Sequence, residues 1–190
     1  MKKLAFLFVV TTLISCNCNK KDKIDKSVSE NETTVVTPSE KEAEEELLIG
    51  KISCKNLEMP PYNDWFVENF NNHTLDTLTI SNLKPFLKET QIKVFMGTWC
   101  SDSQREVPAL HKVLEAADFD EDNLEIIAVN RDKITPNGLE KGKDIQYVPT
   151  IIFYKAGKEI NRIVESPVAS LEKDMLAILS GQEYKHTYAE

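Results

Sequence analysis

The 190-residue chain is short of several things at once. It has four cysteines, too few for a small scaffold held by disulfides. Six glycines and eight prolines exclude a collagen-like or low-complexity chain. Its 23 Lys and Arg are outnumbered by 31 Asp and Glu, a net charge of −8. A chain lacking a basic footprint is not built to grip a nucleic-acid backbone, so that partner class is set aside. No apolar run approaches the ~20 residues that span a bilayer. What is present, 41% apolar and 28% charged residues, suits one soluble domain with tails.

The longest apolar stretch, Leu4 to Ile14, follows the basic Lys2-Lys3 and has the size of a secretory signal core. It ends in Leu13-Ile14-Ser15-Cys16, which resembles the lipobox of bacterial lipoproteins. The resemblance implies that residues 1–15 are a signal peptide and that Cys16 becomes a lipid-modified N-terminus. Several acyl chains on Cys16 would anchor the protein stably in a membrane of the bacterial cell envelope, with the domain in the periplasm or at the cell surface. Residues 16–46 then read as a flexible acidic linker. From Asn17 to Glu46 there is no aromatic residue, and five Lys face nine Asp or Glu. Such a segment cannot bury enough apolar surface to offset its chain entropy.

Residues 47–190 form the globular part. Strands are expected at Leu47–Ile52, Ile92–Met96, Leu124–Val129 and Thr150–Tyr154, the last turning at Ala156-Gly157-Lys158 into a hairpin partner, Glu159–Val164. Helical spacing marks Tyr62–Phe70, Ile80–Glu89, Asp102–Ala117 and Val168–Leu179, with a weaker candidate between Arg131 and Ile145. Pro85 is expected in or near the first turn of its helix. Helices alternating with apolar strands predict an α/β fold with a central mixed sheet flanked by helices.

The chemistry concentrates at Thr98-Trp99-Cys100-Ser101-Asp102-Ser103, between a strand and the longest helix. Unpaired backbone N–H groups and the helix dipole favour an anion there, which raises the thiolate fraction of Cys100. Asp102 opposes this with a like charge, and Arg105 is placed to offset Asp102. The strand, the Trp-Cys segment, the long helix and then Val148-Pro149-Thr150 before a hairpin resemble the thioredoxin fold over roughly residues 92–179. The resemblance implies that Cys100 is the nucleophile, that a cis bond precedes Pro149, and that Trp99, Val148 and Pro149 contact a polypeptide or a small thiol or disulfide. No cofactor is implied.

The family's second cysteine falls at position 103, where this chain has Ser103. A dithiol reductase needs a second thiol to resolve the mixed disulfide, and a hydroxyl cannot do that. Ser103 can donate a hydrogen bond to a Cys100 thiolate. Cys54, 46 residues upstream, is either a resolving thiol or a small packing residue. An external thiol is a third route. His73, His111 and His186 are scattered, so no metal site is read. Asn130-Arg131-Asp132 follows a strand on the Cys100 side, as a ligand contact or a solvated loop. Two readings stand: monothiol exchange through Cys100, or a non-catalytic module that binds polypeptide between Trp99 and Pro149.

Overall fold

The computed structural model describes residues 47–189. The signal peptide, Cys16 and the linker up to residue 46 lie outside the described residues. None of the described helices is long and apolar enough to cross a membrane.

Five strands form one sheet in the order β1-β3-β2-β4-β5. They are β1 (Gly50–Ile52), β2 (Thr90–Met96), β3 (Leu124–Ala128), β4 (Thr150–Lys155) and β5 (Lys158–Val164). The central pair is parallel, with Met96 opposite Ala128, and the other pairs are antiparallel. The sheet is mixed, as the sequence predicts. Among the described residues five α-helices accompany it, α1 (Cys54–Leu57), α2 (Asn63–Asn72), α3 (Thr77–Leu87), α4 (Ser101–Ala116) and α5 (Leu171–Ser180), with a short 3-10 turn at Glu121–Asn123.

Strand alternation sorts the core into two layers. Ile92, Val94 and Met96 of β2 face a cluster that takes in the buried apolar residues of all five helices, among them Leu83, Leu110 and Met175. Phe95 points the other way, to join Ile127, Val129, Val148, Ile152 and Tyr154. That second face is covered by Leu139 and Ile145 from the segment between β3 and β4, not by a helix. The weak helix candidate at Arg131–Ile145 is therefore corrected. Side chains there take the backbone bonds a helix would use. Asn130 Oδ1 accepts the N–H groups of Asp132 and Ile134, both at 3.0 Å. Thr135 donates its hydroxyl to Glu140 at 2.7 Å and accepts the Leu139 N–H at 2.8 Å.

Pro85 is a second correction: it sits in the last turn of α3, not the first. The helix begins earlier than its apolar spacing suggested, because Asp76 caps it by accepting the Thr79 N–H at 3.0 Å and the Thr79 hydroxyl at 2.6 Å. At the other end of the domain, Gly181 closes α5 in the left-handed region at φ 78°. The chain beyond it runs without helix or strand and is pinned through Tyr184. The phenol of Tyr184 donates to Asp174 at 3.0 Å, and its carbonyl accepts from Asn161 of β5 at 3.0 Å.

Candidate functional site

Cys100 is the N-cap of α4, in extended geometry (φ −98°, ψ 121°). Its N–H donates to Gly97 O at 3.0 Å, and its carbonyl accepts from Gln104 N at 2.9 Å. The first turn of α4 thus presents its unpaired N–H groups on the Cys100 side. The thiol is half-buried, and Sγ–H donates to Val148 O at 3.1 Å. The Val148–Pro149 bond is cis, as the resemblance implied. Cys100, Trp99 and Val148 all join the second core layer, so sequence positions 48 or more apart meet here.

Trp99 is folded back over Gly97. Its Nε1 donates to Val129 O at 3.1 Å, and the Arg131 guanidinium lies over the ring, 5.3 Å from its centre. A Cβ on Gly97 would fall 2.5 Å from the indole, so the glycine is what allows this approach. Trp99 is half-buried. Of the Asn130-Arg131-Asp132 trio, Arg131 reaches the site and Asn130 shapes the loop that carries it.

Ser103 is fully buried, and its Oγ accepts the Gly97 N–H at 3.2 Å. It ties the helix start to the end of β2, and the bond uses the oxygen as an acceptor. Asp102 is paired: Arg105 reaches its carboxylate at 2.7 Å and that of Glu106 at 2.8 Å. The charge set against a thiolate at Cys100 is thereby offset by a neighbour one turn on. Burial pushes the Glu106 carboxyl up, and the Arg105 guanidinium pulls against that shift. Arg105 also donates to the Ser166 hydroxyl at 2.8 Å, fastening the turn after β5 to α4. In that same turn Glu165 N donates to Pro149 O at 2.8 Å.

Cys54 is not brought to the site. It lines a cleft with Glu121, Leu124 and Ile126, at the start of β3, whereas Cys100 follows the far ends of β2 and β3. Four strand residues separate the two ends, about 13 Å at ~3.3 Å per residue. Burial, with Glu121 and Glu58 nearby, pushes the Cys54 thiol up to about 12. It is suited to packing and poorly suited to attack. The histidines are engaged elsewhere. His73 bonds Glu172 at 2.9 Å, His111 lies against the rings of Phe66 and Phe70, and His186 sits on the C-terminal tail. Among the described residues, no three His, Cys, Asp or Glu side chains are grouped to hold a metal ion.

Sequence reading missed Tyr147, Glu165, Ser166 and Tyr188. Tyr188 is stacked on Tyr147 with ring centres 4.1 Å apart, and its hydroxyl donates to Glu165. The one available signal was two tyrosines, Tyr184 and Tyr188, in an otherwise polar C-terminus.

Two solved structures share the fold. One is PA1234, a Pseudomonas aeruginosa protein of unknown function, 16% identical with a TM-score of 0.53, covering 70% of this chain and 93% of that one. The other is an HIV epitope-scaffold, 15% identical with a TM-score of 0.53, covering 71% and 95%. No curated protein matches the chain. The family model described as Thioredoxin matches residues 74–177, which contain β2 to β5, α4, Cys100 and Pro149. With the cis-proline facing a cysteine at a helix start, that match over more than half of its length makes the chain a member of the thioredoxin family.

Proposed function

We propose that this domain performs thiol–disulfide exchange with Cys100 as its only working thiol. The observation that carries the reading is Cys100 at the N-cap of α4, its sulfur 3.1 Å from the carbonyl before the cis-proline, with a bonded serine where a resolving thiol would sit. The Cys100 thiolate, at the N-terminal end of α4, attacks one sulfur of a disulfide R–S–S–R′. The Cys100–S–S–R bond forms, and R′–S⁻ leaves and takes a proton from water. A second, low-molecular-weight thiol, itself ionised, then attacks the R sulfur and releases the Cys100 thiolate with a new external disulfide. Electrons balance without a cofactor. Trp99 and the Val148–Pro149 segment form the walls between which the substrate chain lies.

Wild-type protein mixed with excess cystamine near pH 8 is expected to gain one cysteamine adduct on Cys100 and to keep it until an external thiol is added. Intact mass and peptide mapping read this, and Cys100→Ser is expected to gain none at that site. If Cys100 forms no adduct, the exchange reading fails and the polypeptide-binding module takes its place.

Membrane tethering belongs to the same proposal and rests on Leu13-Ile14-Ser15-Cys16. In a bacterial host, Cys16→Ser is expected to leave the precursor unprocessed or release the protein from the membrane fraction. Normal cleavage with membrane retention would overturn it.

A further inference from the structure

The C-terminal segment ends against one wall of the Cys100 site. Tyr184 fixes it to α5 and β5, and residues 185–189 continue from there as an arm. His186 and Tyr188 of this arm line a cleft of about 440 Å³ together with Tyr147, Thr150, Arg162 and Val164. Tyr188 contacts the groove wall through both its ring and its hydroxyl. Its ring lies nearly parallel to Tyr147 at an interplanar angle of 12°, its hydroxyl donates to Glu165, and its N–H donates to His186 Nδ1 at 3.2 Å.

The cradle under Tyr188 is made from the two segments that flank the cis-proline. Tyr147 precedes Val148, whose carbonyl holds the Cys100 sulfur, and Glu165 is bonded through its N–H to Pro149 O. The Tyr188 phenol is held up at about 12, chiefly by its bond to Glu165, with a smaller push from the charge of Asp102, two residues from Cys100. Both rings of the stack remain over a third exposed, so the cradle opens to solvent once the arm lifts. Tyr188 is held by a stacked ring and a charged acceptor, which is recognition of a kind a foreign side chain can also satisfy.

We infer that the Tyr147–Glu165 cradle is an aromatic subsite of the substrate groove, and that Tyr188 occupies it as an intramolecular stand-in for a polypeptide substrate carrying an aromatic residue near its reacting cysteine. The inference rests on the exchange reading for its chemistry. Being tethered, Tyr188 competes at an effective concentration in the millimolar range, so substrate must displace the arm. A small disulfide without an aromatic group has no use for the cradle.

The test compares three probes: cystamine, and two short peptides whose single cysteine is capped with cysteamine through a disulfide, one with Tyr two residues from the cysteine and one with Ala there. Rates of adduct formation on Cys100 are read by mass. Tyr188→Ala is expected to raise the ratio of the Tyr-peptide rate to the Ala-peptide rate about three- to tenfold, the range a stacked aromatic pair supplies. In the double variant Tyr147→Ala/Tyr188→Ala the ratio should fall to about one. A ratio unchanged by Tyr188→Ala, or still high without Tyr147, overturns the subsite. Calorimetry with the same peptides, their cysteine replaced by serine, on Cys100→Ser/Tyr188→Ala reads binding apart from chemistry. Selective binding of the Tyr peptide with no reaction at Cys100 would sustain the subsite and sink thiol exchange. Reaction at Cys100 with no preference in rate or binding would do the reverse.

Discussion

Ser103→Cys is expected to turn a protein that waits on an external thiol after each exchange into one that reduces insulin rapidly in the presence of dithiothreitol. Cys100 is the N-cap and Ser103 the third residue of α4, a pair of positions whose side chains meet across the first turn. Ser103 is already buried there with its oxygen at 3.2 Å from Gly97 N. A thiol in its place keeps the position but accepts that N–H weakly, a loss of about 1 kcal/mol that the fold withstands. In return the introduced thiol would attack the mixed disulfide from within the molecule. An intramolecular thiol acts at an effective concentration far above a millimolar external one, so turnover should rise at least about a hundredfold. Cys100→Ser in the same background should abolish it. Turnover by wild type equal to that of Ser103→Cys would show that the resolving step is supplied from elsewhere and would sink the single-thiol mechanism.

Gly97→Ala is expected to lower the melting temperature by about 6–15 °C, which corresponds to about 2–4 kcal/mol in a domain of this size. The new Cβ would meet Trp99 Cε2 at 2.5 Å, Nε1 at 2.7 Å and Cζ2 at 2.9 Å. These are atoms of a rigid ring held by its bond to Val129 O, so the indole must swing out and give up that bond. The displaced ring should also shift the tryptophan emission to the red. Removing the ring isolates the cause: adding Trp99→Ala to Gly97→Ala should cost less than the sum of the two single changes. A melting temperature within about a degree of wild type would mean that the approach of ring to glycine contributes nothing.

Much of the frame was legible because it is written in local periodicity. Ile92, Val94 and Met96 alternate, Val107, Leu110, Val113 and Leu114 recur at helical spacing, and both patterns are answered by the core. The cysteine at the α4 start was legible from its place between a strand and a helix, and the proline before β4 through the resemblance to the thioredoxin fold. What escaped was settled by side chains bonding to backbone over short distances. Asn130 and Thr135 unmake a helix that the spacing after Arg131 only weakly favoured, while Asp76 starts one three residues early. The short helix α1 depends likewise on Ser53 and Asn56 capping one another. The bond that Ser103 accepts from Gly97 N had no signal in the sequence, since it depends on where the end of β2 meets the helix start. The wall made by Tyr147, Glu165 and Tyr188 had no local signature at all. Its parts lie up to 41 residues apart, and nothing in their neighbours requires them to meet.

The bonds that converge on Pro149 bear on how the site opens. Cys100 holds the carbonyl before it, Glu165 holds the carbonyl it bears, and Arg105 closes the circuit from α4 to Ser166. Sites carried on a single loop open by fraying, at a free energy near zero, and leave the rest of the protein closed. Here the helix start, the proline segment and the turn after β5 restrain one another, and two of them continue directly into the central strands. A fluctuation that moves the proline segment away from the helix start must therefore break the Glu165–Pro149 and Arg105–Ser166 bonds as well. The backbone around Cys100 is restrained from three sides rather than carried on one loop.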